Sequence, residues 1–142
     1  MKAATNYLDF MACMLLADGV VDDNELTTFV SMLQQMGAKE AVEMRYSNIL
    51  REPDLLNPRA VIASVARFSE DRLLHWIIRD SYIMAASDGD ISKEEIALVD
   101  DLLTALGIPE SQREAIHQWG RELTEHIRQG QALLRRGPNS RA

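Results

Sequence analysis

Residues 14–37, MLLADGVVDDNELTTFVSMLQQMG, align without a gap on residues 84–107, MAASDGDISKEEIALVDDLLTALG. Met14/Met84, Asp18/Asp88, Gly19/Gly89, Glu25/Glu95, Leu33/Leu103 and Gly37/Gly107 are identical, and Val21/Ile91, Leu26/Ile96, Phe29/Val99 and Met36/Leu106 keep their character. Each copy reads as helix, Asp-Gly turn, helix, so the chain is constrained to two similar helix-turn-helix units packed about a pseudo-twofold.

The periodicity within the copies fixes the element type. Leu26, Phe29, Val30, Leu33 and Met36 share one helix face, as do Ile96, Val99, Leu102, Leu103 and Leu106. Both stripes stop at a glycine, the usual residue just past a helix end. Elsewhere Asn57-Pro58 reads as an N-cap with proline at the first helical position, and Ser111 with Glu114 as a capping box. The four prolines and seven glycines fall mostly between periodic segments, and alternating β-branched runs are absent. The expectation is an all-α, single compact bundle of about seven helices near 4–18, 22–36, 39–51, 57–67, 70–87, 92–106 and 110–129. The fifth, apolar almost all round, is expected at the centre. Residues 1–130 form the domain on this reading, and residues 131–142, QALLRRGPNSRA, form a flexible C-terminal tail.

Composition narrows the function classes. A chain of 142 residues, 46% hydrophobic and 26% charged, is globular and suits one domain. Cys13 is the only cysteine, which excludes an internal disulfide and a cysteine zinc cluster and fits a reducing compartment. No stretch reaches the roughly 18 uncharged apolar residues of a membrane span. The reading is therefore a cytoplasmic protein without membrane insertion. A net charge of −7, with Arg135, Arg136 and Arg141 in the tail, makes the body more acidic still and argues against nucleic acid as a partner.

Two readings of the doubled turn stand side by side. In the first it is a capping device: Gly19 and Gly89 take the left-handed conformation, Val21 and Ile91 act as hydrophobic staples, Asp22 and Ser92 cap, and Glu25 and Glu95 reach back to the cap amide. In the second it also holds a cation. Asp18 and Asp88 sit at the negative end of a helix dipole, where a carboxylate costs roughly 0.3–1 kcal/mol. The pattern Asp-Gly-x-apolar-x-x-x-Glu matches the latter part of an EF-hand loop. The first part is missing, since Met14, Leu16, Met84 and Ala86 supply no side-chain oxygen. A shared site would instead pool Asp18, Glu25, Asp88 and Glu95 around one ion. Oxygen-only ligands favour calcium, magnesium or manganese over zinc.

No catalytic constellation accompanies the turns. His117 and His126 are nine apart, not the i, i+4 pair of a helical zinc site, and His75 lies in the most apolar helix. No serine sits in a nucleophile elbow, and no glycine-rich phosphate loop or dinucleotide fingerprint occurs. The chain is expected not to be an enzyme. Leu55-Leu56 offers either a docking loop or a core anchor. The stripe Ile116, Trp119, Leu123, Ile127, if continued through Leu133 and Leu134, would provide a homodimer contact in place of a monomer.

Two copies of (A/S)DGx(V/I)xxxE, each opening a helix that ends in glycine, resemble the TerB-like family over roughly residues 5–130. The resemblance implies a helical bundle, cytoplasmic or at the inner face of the membrane, whose turn carboxylates bind a divalent metal. By position the ligands would be Asp18, Glu25, Asp88 and Glu95, with Asp22 as a fifth. It also implies work with protein partners in tellurite and general stress responses. The alternative on the same residues is a co-chaperone-like protein-interaction adaptor whose Asp-Gly turns are purely structural.

Overall fold

The computed structural model describes residues 2–19, 21, 23–86 and 91–139. Among them lie seven α-helices and no strand: α1 (Lys2–Leu16), α2 (Asp23–Gln35), α3 (Glu40–Arg51), α4 (Pro58–Phe68), α5 (Asp71–Ala86), α6 (Lys93–Ala105) and α7 (Glu110–Asn139). A single 3-10 turn, Pro53–Leu55, links α3 to α4. The all-α bundle expected from the periodicity is the observed fold.

The two repeat units pack as a symmetric pair would. α1 lies on α2 and α5 on α6, and the partners also cross over, with α2 touching α5 and α1 touching α6. Equivalent positions do equivalent work: Met14 and Met84 are fully buried, and Phe29 and Val99 both fill the core. Helix α4 lies against α1 and α6.

The helix ends show why the glycines repeat. Gly37 and Gly107 have φ of +66° and +77°. The next amides, Ala38 N–H and Ile108 N–H, donate back to Leu33 and Leu103 carbonyls at 3.0 and 3.1 Å. The glycine amides donate to Gln34 and Thr104 carbonyls at 3.0 and 2.9 Å. This is the paired Schellman closure, in which the left-handed residue satisfies carbonyls that the helix leaves open. Asn57 caps α4 as expected, its side chain accepting from Ala60 N–H at 3.2 Å with Pro58 in the first turn.

Three expectations need correction. The centre is α1, not α5: Phe10 through Leu15 are six consecutive buried residues, whereas Trp76 and His75 on α5 are exposed. A helix of small and flexible side chains such as Ala12, Cys13, Met11 and Met14 can be enclosed on all sides where one carrying Trp76 and Arg79 cannot. Ser111 is not an N-cap, because α7 already begins at Glu110 and the Pro109 carbonyl accepts from Arg113 N–H at 2.9 Å. Helix α7 also does not stop at 129; residues 131–139, expected in the loose tail, continue it. Gln131, Ala132, Leu133, Leu134 and Arg135 are strong helix formers, so propensity carries the helix on where nothing is buried.

Candidate functional site

The first turn is built as a helix stop. After α1, Ala17 N–H donates to the Met14 carbonyl at 3.3 Å and Gly19 N–H to the Leu16 carbonyl at 3.1 Å. Gly19 takes φ +77°, which no side chain adopts cheaply. Asp18 is exposed, so its carboxylate stands at the surface. Val21, expected as a staple, is itself exposed, while Ile91, its counterpart, packs against the core.

At the second turn, α6 opens with a reciprocal capping box. Glu95 N–H donates to Ser92 Oγ at 3.1 Å, and Ser92 N–H donates to Glu95 Oε1 at 2.7 Å. Glu95 is only 3% exposed, a carboxylate carried almost wholly into the bundle. One oxygen, Oε1, is committed to the cap. Asp22 and Asp88 lie outside the described residues, as does the side chain of Glu25. Among the described residues no three histidine, cysteine or acidic side chains gather as a metal cage.

What the fold does bring together is the exit of α1 and the start of α6. Leu16 and Ala17, which lead into Asp18, line the same groove as Glu94, Ala97 and Leu98. Its volume is about 450 Å³. Sequence alone gives no sign of this adjacency.

Three polar ties went unseen in the sequence, and they hold the helices in register. On α7, Arg113 and His117 both reach Asp100 of α6: Arg113 Nε–H donates to Oδ1 at 3.2 Å, and His117 Nε2 meets it at 2.8 Å. The other ring nitrogen, Nδ1, lies 2.6 Å from Tyr82 Oη on α5. The two ring nitrogens thus bridge Asp100 of α6 and Tyr82 of α5. The His117 hydrogen bond, aided by Arg113, holds the Asp100 carboxyl below its usual range, and burial pushes the Tyr82 phenol up to about 12. Tyr82 is fully enclosed, so this chain of groups fastens α5, α6 and α7 rather than facing a substrate.

The other two ties belong to α1. Asp9 takes a forked pair of bonds from Arg45 at 3.0 and 3.1 Å and a third from Tyr46 Oη at 2.7 Å, fastening α3. Tyr7 Oη donates to Asp80 of α5, which also pairs with Arg79 at 2.9 Å. The Arg113/His117 pair has a readable i, i+4 spacing on one face of α7; its partners, 13 to 35 residues away, have no sequence signal.

Burial separates the remaining candidates. Cys13 is buried, and its thiol is pushed up to about 12 by the loss of water, which makes it inert as a nucleophile. His75 is exposed and lies beside Trp119, ring centres 6.4 Å apart. Of the Leu55-Leu56 pair, Leu56 anchors in the core and Leu55 is exposed.

The fold is an all-α bundle built on a repeated pair of packed helices. The family model described as tellurite resistance protein TerB matches residues 4–118, and the chain belongs to that family. No curated protein and no solved structure matches it.

Proposed function

We propose that the chain is a non-enzymatic TerB-family module that binds one hard divalent cation with the carboxylates of its two turns, inside a protein assembly responding to tellurite or related chemical stress. The observation that carries the reading is the convergence of the turns' flanks: Ala17, next to Asp18, shares a groove with Glu94, next to the buried Glu95. A nearly enclosed carboxylate beside a second acidic turn calls for positive charge or strong hydrogen bonds. Asp18, Glu25, Asp88 and Glu95 are the ligands on this reading, with Asp22 as a fifth, and calcium, magnesium or manganese the ions. The site of action is the cytoplasm or the inner membrane face; no helix among the described residues is long and apolar enough to cross a membrane.

The test is thermal unfolding of metal-stripped protein with each ion in turn, repeated on Asp18→Asn plus Asp88→Asn. At a thousandfold excess over Kd, a bound ion adds about 4 kcal/mol, several degrees for a domain of this size. A shift with one ion, lost in the variant, supports the reading. No shift with any ion supports the adaptor reading instead, which the complete Ser92–Glu95 capping box favours because it gives the buried carboxylate a structural role.

A further inference from the structure

The groove between the exit of α1, the 3-10 turn and α6 has an apolar floor of Leu16, Leu56 and Leu98 and an acidic rim of Asp54, Glu94 and Asp101. The three rim residues are exposed, and none makes a hydrogen bond or ion pair among the described residues. At the other extreme of the charge distribution stands the end of α7. The last twelve residues contain Arg135, Arg136 and Arg141 and no acidic residue, which leaves +3 there and −10 on the rest of the chain. Leu133 and Leu134, 71% and 75% exposed, are the most exposed large hydrophobic residues among those described. They precede Arg135 and Arg136 directly, so two leucines and two arginines stand on successive helical positions.

We infer that the end of α7 from a second copy of this chain occupies the groove, its leucines on the apolar floor and its arginines against the acidic rim. Residues 131–135 of α7 are helical and exposed in their own chain, and Asp54, Glu94 and Asp101 are likewise uncovered, so both surfaces are open to a second molecule. Opposite charge and matching apolar surface on one polypeptide make the pair self-complementary, and two copies exchanging their α7 ends close as a twofold dimer. Neither Asp54 nor Asp101 belongs to the turns, so the dimer stands or falls independently of cation binding there.

Sedimentation equilibrium of the full chain tests this directly. The expected result is a concentration-dependent rise from the mass of one 16.0 kDa chain towards twice that value, weakened by salt and unchanged by a chelator. Arg135→Glu with Arg136→Glu, and separately Asp54→Arg with Asp101→Arg, should each weaken the dimer by about tenfold or more, and combining all four should restore it. Far-UV circular dichroism of each variant checks that the bundle remains folded. A chain that stays monomeric at every concentration overturns the inference, as does a dimer that neither pair of reversals weakens or that the combination fails to restore.

Discussion

Helices α2 and α6 descend from equivalent stretches of the repeat, yet they are buried to different degrees. On α6, Glu95, Leu98, Val99, Leu102 and Leu103 are buried; on α2 the described core residues are Phe29 and Leu33, while Val30, and Met36 just past its end, are exposed. The difference comes from what lies on top. Helices α4 and α7 both pack on α6, and α2 rests mainly on α1 and α5. A repeat thus fixes the path of the backbone and the chemistry of its ends, whereas the depth of each helix is set by the elements that the repeat does not contain.

The widest separation between the two copies is expected from core truncation. Leu103→Ala should destabilise by about 3–5 kcal/mol and Leu33→Ala by about 2–3, because the rigid surroundings of α6 cannot collapse into the cavity as the edge of α2 can. Denaturant unfolding of both variants checks this, and equal losses would break the proposed asymmetry.

Next comes the contact that has no counterpart in the first unit. A Cβ added at Gly120 would lie 2.3 Å from the Tyr82 ring, whereas one at Gly130 meets nothing within 4 Å. Gly120→Ala should cost about 1–3 kcal/mol through overpacking, while Gly130→Ala should stabilise by up to about 1 kcal/mol through helix propensity. The position 70 residues earlier holds Leu50, which packs against the core, so the close approach of α7 to α5 is peculiar to the second unit.

The twin closures should behave alike. Gly37→Ala and Gly107→Ala force alanine into a left-handed conformation at a cost of about 1–2 kcal/mol each. Two matching losses in thermal unfolding sharpen the comparison; a loss at one position only would mean that the closures differ in strength.

The smallest effect concerns pH. Asp100 is held below its ordinary value of 3.8 by His117, so its contribution is present above that value and is lost as pH falls through the lowered folded-state value. Asp100→Asn should flatten that part of the acid limb of the stability profile, followed by thermal unfolding across pH, and an unchanged limb would contradict the role given to this tie.

Much of this architecture was readable because it is local. Glycines at 37 and 107, the Asn57-Pro58 start and the Ser92/Glu95 box announce themselves over three or four residues. Tertiary contacts were not readable in the same way. The enclosure of α1 depends on several helices packing around it, and Gly120, which looks like a defect in an isolated helix, exists because Tyr82 lies against it. The extension of α7 to Asn139 was missed for the opposite reason, since propensity sustains a helix that no apolar face requires. For the candidate site, the turn carboxylates were legible, and the approach of α1's end to α6's start was not.

The shared cation site is most directly tested by titrating substoichiometric manganese into ¹⁵N-labelled, metal-stripped protein and following amide line broadening. Signals from Leu16–Gly19 and from Ile91–Glu95 are expected to broaden together, ahead of the rest of the acidic surface. Broadening spread evenly over exposed carboxylates, or confined to one turn, would contradict a single ion held between the two.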